Sequence, residues 1–305
     1  MSRNILKLSD LSEKEIVNII KKAGNQKKIF NKNRKLNKKP LANKSVILFF
    51  EKPSTRTLIS FQAGISMLGG NSIVLSSTDT HLNRGEPIKD IARVMSRYVQ
   101  MVVIRTYSQK TINEFAKYSQ VPVVNALTDE HHPCQVLADI QTWQEYLGSA
   151  SLKDKTVVWL GDANNVCRSW VEAAMLLKFN FIISSPPDFN FSKKEWTNWK
   201  DYPIKYIEDP KIAAKNADLI ITDTWISMGF EKTRKSAKNK FKKWQVNSQI
   251  MNLAKPKAVF MHCLPAYREL EVSEKVLESK QSLVWEEAEN RMWAQNALME
   301  FLLNT

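Results

Sequence analysis

The sequence predicts an α/β protein built from two doubly wound parallel-sheet domains, with the active site in the cleft between them. Three observations carry this. Short apolar runs of strand type, at 46–50, 101–104 and 156–160 among others, alternate along the chain with stretches whose apolar residues recur at steps of three and four. At 305 residues the chain is long for one small core. The unusual polar residues also fall just after predicted strands, where open parallel sheets take ligands. They are Ser54 to Thr57, Arg105, His132, Asn165, Asp223 and Cys263.

In chain order, Leu8, Leu11, Ile16, Ile19 and Ile20 predict an opening helix, capped by Ser12 with Glu15 three residues on. The lysine-rich stretch 27–44 reads as loop. A strand over 46–50 runs into Lys52-Pro53-Ser54-Thr55-Arg56-Thr57, after which Leu58, Phe61, Ile65 and Leu68 keep helical spacing until Gly69-Gly70. A strand over 72–75 is followed by a polar loop, 76–86, carrying Asp79, His81 and Arg84. Pro87 suits the first position of a helix through Ile88, Ile91, Met95 and Tyr98. The strand 101–104 ends on Arg105. Thr111-Ile112-Asn113-Glu114 reads as a capping box, 121–124 as a strand, and Pro133 as the start of a helix that Gly148 ends.

Ser149-Ala150-Ser151 marks the expected boundary. The domains are then 1–148, with a helix at about 289–305 packing back on it, and 149–288. In the second half, strands are predicted at 156–160, 181–184, 218–221 and 258–261. A helix is expected from about Val166, a short strand near 282–285, and a last helix from about Glu289.

Composition excludes several classes. Hydrophobic content of 43% and charged content of 25% suit a soluble globular chain. No apolar run approaches the roughly 18–20 residues of a membrane span, and Met1-Ser2-Arg3-Asn4-Ile5-Leu6-Lys7 has no signal-peptide core. The expected location is the cytoplasm, with no membrane partner. Three cysteines without a C-x-x-C pair argue against a disulfide framework or structural zinc. The net charge of +14 is concentrated in two lysine runs, 27–44 and 232–243. They lack interleaved aromatic pairs or a nucleic-acid motif, so solvated faces are favoured over RNA or another polyanion.

The clusters admit plain readings too. Ser54, Thr55, Arg56 and Thr57 at a helix start form either an ordinary cap with a solvated arginine or a phosphate cradle of backbone N–H groups, hydroxyls and a planar guanidinium. Arg105 at a strand end needs a partner, either a structural ion pair or a bound anion. His132 and Gln135 lie before and within the first turn of the Pro133 helix, and metal-ligand spacing is absent around them. Gly161-Asp162-Ala163-Asn164-Asn165 lacks the G-x-G-x-x-G dinucleotide pattern.

Five ordered segments resemble the aspartate/ornithine carbamoyltransferase family, and its ornithine members most. They are Lys52 to Thr57 (the Ser-Thr-Arg-Thr signature), His132-Pro133-Cys134-Gln135, Gly161 to Asn165, Asp223-Thr224-Trp225-Ile226-Ser227-Met228-Gly229, and His262-Cys263-Leu264-Pro265. Glu287-Ala288-Glu289-Asn290-Arg291-Met292 resembles the family's closing segment.

The resemblance implies transfer of the carbamoyl group of carbamoyl phosphate to the δ-amine of L-ornithine, giving L-citrulline and phosphate in arginine biosynthesis, with no metal or organic cofactor. It implies that Ser54, Thr55, Arg56, Thr57, His81, Arg105, His132, Gln135, Cys263, Leu264 and Arg291 bind carbamoyl phosphate. It also implies that Asn165, Asp223, Ser227 and Met228 bind ornithine, and that Arg105, His132, Asp223 and Cys263 are catalytic. A homotrimer, or a multiple of it, is implied. Acceptors such as putrescine or an N-acylated ornithine are the alternatives within the class, and a polyanion-binding protein the alternative outside it. Ala163, Asn83 and Arg168 depart from the family pattern, and positive φ at Ala163 would be strained.

Overall fold

The computed structural model describes residues 2–76, 85–225 and 239–304. His81, Asn83, Ser227 and Met228 lie outside the described residues. The chain forms two compact units, Met1–Glu145 with Glu289–Thr305, and Tyr146–Ala288. Both are parallel α/β units, as the alternation of strand and helix signals predicts.

The first unit holds strands β1 (Ser45–Phe50), β2 (Asn71–Ser76), β3 (Met101–Arg105) and β4 (Val123–Leu127) in the order β2-β1-β3-β4, every pair parallel. Its helices are α1 (Glu13–Asn33), α2 (Thr55–Met67), α3 (Ile88–Tyr98), α4 (Gln109–Tyr118) and α5 (Pro133–Leu147), the last of which runs on into the second unit. β1 and β3 are continuous apolar runs because both sheet faces are covered, and Ile47, Phe49, Val102, Ile104 and Phe115 share one core. Connections leave β1 for β2 on one side and reach β3 on the other. The switch point therefore lies at the carboxyl ends of β1 and β3, where such sheets bind ligands.

The second unit holds β5 (Thr156–Leu160), β6 (Asn180–Ser184), β7 (Ile204–Tyr206), β8 (Leu219–Thr222) and β9 (Val259–His262), in the parallel order β7-β6-β5-β8-β9. Helix α6 (Asn165–Leu177) follows β5. The switch point here falls between β5 and β8. Trp170 packs on Phe179 and Phe181 at ring separations of 5.8 and 6.3 Å.

Local differences from the sequence reading have physical causes. Residues 27–33 are helical, because α1 continues to a left-handed stop at Arg34 (φ 56°). Its buried Gln26 bonds to Glu300, and Phe30 packs on Trp293 at 5.4 Å. α4 starts before Thr111, capped by Ser108, whose hydroxyl accepts from Lys110 N–H at 3.1 Å. Pro87 is the cap of α3 rather than its first residue. The expected strand near 282–285 reduces to a single bridge of Ser282 with Phe260, and the terminal helix, Val284–Leu302, starts five residues before the expected Glu289. Ala163 avoids strain because the positive φ of that turn is at Gly161 (φ 124°). A Cβ at Gly161 would meet Thr222 Oγ1 at 3.2 Å. Among the described residues no helix is long and apolar enough to cross a membrane.

Candidate active site

In the first unit, β1 delivers the chain to Ser54, which caps α2 with its side chain accepting from Thr57 N–H at 3.4 Å. The exposed first turn of α2 carries Thr55 and Arg56. Thr57 turns inward and is buried. Its Oγ1 accepts from the Ser54 hydroxyl at 2.9 Å, from Arg105 Nη1 at 3.5 Å and from Arg291 Nη2 at 3.4 Å. Arg105 comes from the end of β3 and Arg291 from the terminal helix, and both are buried. Two like charges thus converge on one oxygen at the switch point. Their mutual repulsion in a poorly solvated place is relieved by an anion.

Gln135, on the first turn of α5, accepts from Arg291 Nη1 through Oε1 and donates to buried Asp139 through Nε2 at 2.7 Å. His132 precedes that turn. Thr128 ties its loop down: Thr128 N–H donates to His131 O at 2.9 Å, and Thr128 Oγ1 donates to Gln109 Oε1 at 2.6 Å and accepts from His131 N–H at 3.1 Å. Burial first, then the Arg291 and Arg105 guanidiniums, hold the His132 imidazolium well below its ordinary 6.5. The ring is therefore neutral near pH 7 and offers one N–H without adding a third charge. Beside it, burial pushes the Cys134 thiol up to about 12, so that thiol is inert packing. Lys52, which precedes the cradle, is nearly buried, paired with Asp129 and set over the Tyr107 ring at 4.0 Å.

The second unit carries opposite charge at its switch point. Asp223 follows β8. Its carboxylate accepts from Asn164 Nδ2 at 2.7 Å and from Thr224 N–H at 2.7 Å, and the Cys263 thiol donates to it at 3.1 Å. Asn164 also caps α6, its Oδ1 accepting from Val166 and Cys167 N–H at 3.0 and 3.1 Å. Asn165 is the first residue of that helix. Burial, then the Asp223 charge, push the Asp162 carboxyl up to about 7.

His262 is fully buried. It accepts Leu264 N–H on Nδ1 at 2.9 Å, so Nε2 carries the proton given to Glu271 at 3.2 Å. That bond shapes the turn in which Leu264 takes φ 53° and Cys263 faces Asp223. Asp223, His262 and Cys263 bring one donor atom each within 4.8 Å of one another, a spacing that could hold a metal ion. Both nitrogens of His262 are already engaged, so ligation would break a bond that orders the loop.

Of the residues that the sequence singles out, Thr57, Arg105, His132, Gln135 and Arg291 meet in the first unit, and Asp223 and Cys263 meet in the second. Sequence reasoning missed the residues that hold them: Asp139 on Gln135, Asn164 on Asp223, and Glu271 on His262. Only Asn164 had a local signal, as an Asx cap before an apolar helix.

A parallel α/β protein of two units, one presenting paired cations at its switch point and the other a carboxylate against a thiol, is of the class of enzymes that handle small charged metabolites. Comparison with known families narrows this. Residues 3–145 match the model of the aspartate/ornithine carbamoyltransferase carbamoyl-P binding domain, and residues 153–302 that of the Asp/Orn binding domain. The chain belongs to the aspartate/ornithine carbamoyltransferase family. It is 48% identical over 302 residues to an ornithine carbamoyltransferase of Acinetobacter baumannii (strain AYE), covering 99% of this chain and 97% of that one. The crystal structure of ornithine carbamoyltransferase from Burkholderia thailandensis E264 matches with a TM-score of 0.88 at 42% identity, covering 99% of this chain and 98% of that chain. The enzyme from Pyrococcus furiosus matches with a TM-score of 0.91 at 39% identity, covering 98% of this chain and 96% of that one.

Proposed function

We propose that the protein transfers the carbamoyl group of carbamoyl phosphate to the δ-amine of L-ornithine, releasing L-citrulline and phosphate. The observation that carries this reading is the meeting of Arg105 and Arg291 on Thr57 Oγ1 at the first switch point, a cradle suited to a doubly charged phosphate. In this reading the first domain holds carbamoyl phosphate. Ser54, Thr55, Arg56 and Thr57 bind its phosphate with Arg105, while Arg291 lies near it. His81 belongs to that site in this reading. Neutral His132 joins Thr57 and Arg105 on the carbonyl oxygen, and Gln135 and the Leu264 carbonyl fix the amide.

The second domain holds ornithine. Asp223, with Ser227, pairs with the α-ammonium, and Asn165 and Met228 N–H meet the carboxylate. Cys263 lies beside the δ-amine and helps remove its proton. The free amine attacks the carbamoyl carbon, and its C–N bond forms as the carbonyl becomes an oxyanion. Arg105, His132 and Thr57 stabilise that charge. Collapse breaks the C–O bond to phosphate, and the proton lost by the attacking nitrogen passes to the departing oxygen, so that phosphate leaves as its dianion. An acyl phosphate is a far better carbamoyl donor than the urea it becomes, so the favoured direction is citrulline formation, hence arginine biosynthesis.

We place the reaction in the cytoplasm, where Cys134 and Cys167 stay as thiols. The expected assembly is a trimer. Edge strand β2 exposes Ile73 and Val74, and Ile59, Val94 and Tyr98 are exposed on α2 and α3, which supports burial of this side against another copy.

The test is an amine-acceptor screen with carbamoyl phosphate, reading phosphate release and the carbamoylated product. Ornithine should be preferred over putrescine and N-acetylornithine, which lack a free α-ammonium. Asp223→Asn should cost about 2–5 kcal/mol in kcat/KM for ornithine. Unchanged turnover of ornithine by that variant would reject the assignment.

A further inference from the structure

We infer that Lys27 is a positioning residue for Arg291, acting through Asn290. The inference rests on the carbamoyl-phosphate reading of the first domain and deepens it. Lys27 lies midway along α1, in the lysine-rich stretch that reads from sequence as a solvated face. Only 15% of its side chain is exposed. Its ammonium donates to Asn290 Oδ1 at 2.8 Å and to Glu145 Oε2 at 3.1 Å, with Glu289 Oε2 at 3.5 Å.

Asn290 is fully buried, and all four hydrogen-bonding positions of its amide are filled. Oδ1 accepts from Lys27 and from Gln141 Nε2 at 3.2 Å, while Nδ2 donates to Thr142 Oγ1 at 2.9 Å and to Glu145 Oε2 at 3.0 Å. An ammonium can only donate. Lys27 therefore fixes which end of the amide is oxygen, and so sends the amide N–H groups to α5. An amide saturated in this way has one orientation, which sets the azimuth of the terminal helix at residue 290. The next residue points roughly 100° further round. It is Arg291, the residue that reaches Gln135 and Thr57.

The terminal helix has a second attachment to α1. Glu300 takes Lys22 at 2.8 Å and Gln26 at 2.9 Å. It lies more than two turns from Arg291, roughly 13 Å along the axis. It holds the helix down without setting the direction of Arg291, and so serves as a control.

The experiment titrates inorganic phosphate into the full-length protein by calorimetry and measures KM for both substrates. Lys27→Met keeps the aliphatic stem and removes the charge and the donor. It should weaken phosphate binding and raise KM for carbamoyl phosphate about tenfold while moving KM for ornithine less than about twofold. Lys27→Arg should restore most of the loss. Lys22→Met should lower the melting temperature and leave phosphate binding unchanged. Wild-type phosphate affinity in Lys27→Met, or equal weakening in Lys22→Met, would overturn the inference. If Lys27→Met does not fold, Thr142→Val takes an acceptor from the same amide, and weakened or unchanged phosphate binding there decides the matter. Phosphate titration needs no turnover. A wild-type protein that binds phosphate but forms no citrulline would refute the proposed reaction and leave the Lys27 comparison standing.

Discussion

The two switch points are built alike and charged oppositely. In the first unit Arg105 and Arg291 converge on a buried hydroxyl, with a neutral imidazole beside them. In the second, Asp223 draws hydrogen bonds from an amide, a backbone N–H and a thiol, and burial, then its charge, push up the neighbouring Asp162 carboxyl. The same topology thus gathers guanidiniums at the switch point of one unit and a carboxylate at that of the other. The sheet fixes where a ligand sits, and the residues ending its strands fix the sign of its charge. The first cluster draws its buried groups from four distant segments, around Thr57, Arg105, His132 and Arg291.

The comparison breaks most visibly at Arg105. Replacing it by Leu removes a charge aimed at the developing oxyanion, and kcat for citrulline formation should fall about 10²–10³-fold. Phosphate binding measured by calorimetry should weaken in the same variant. A smaller effect is expected at Cys263. Cys263→Ala removes one hydrogen bond to Asp223, worth about 0.5–1.5 kcal/mol, and should lower kcat/KM for ornithine about two- to tenfold. Affinity for inorganic phosphate, which lacks the carbamoyl group that Cys263 would meet, should stay at the wild-type value. If Cys263→Ala weakened phosphate as much as Arg105→Leu does, the division of labour between the units would be wrong.

The alternation of strands and helices was legible because parallel strands covered on both faces are nearly pure apolar runs, as in 46–50 and 101–104. Thr57, Arg105 and His132 stand out in the sequence because each lies next to a strand end or a helix start, whereas Arg291, inside the terminal helix, is marked only by resemblance to the family's closing segment. What the sequence could not show arises from pairing over long separations. Lys27 reads as solvent-facing until Asn290 and Glu145 lie beside it, and residues 27–33 read as loop for the same reason. Asp139 and Glu271 carry no local mark, because each matters only through the side chain it holds. The terminal helix was placed five residues late. Val284 and Trp285 have strand propensity, and the contacts that make them helical lie in the tertiary fold.

The last effect concerns stability rather than rate, and it tests the cationic unit without substrate. A free imidazole titrates near 6.5, whereas burial, Arg291 and Arg105 hold His132 well below that. Between these two values the unfolded chain carries a proton that the folded chain does not. Acidification therefore favours the unfolded state, and stability rises with pH across this window. Below the free imidazole value the contribution of His132 should approach a slope of about 1.4 kcal/mol per pH unit. It is measured from denaturant midpoints between about pH 7 and about pH 5, comparing the wild type with His132→Gln. The variant cannot titrate and should show a slope shallower by that amount. Sulfate stays a dianion throughout this range. Bound between the two arginines, it would offset their charge, bring the ring back toward its free value and flatten the wild-type slope, leaving the variant's slope unchanged. Equal slopes in the two proteins would mean that neither burial nor the guanidiniums hold the imidazole below its free value, and the cationic cradle would lose its neutral donor.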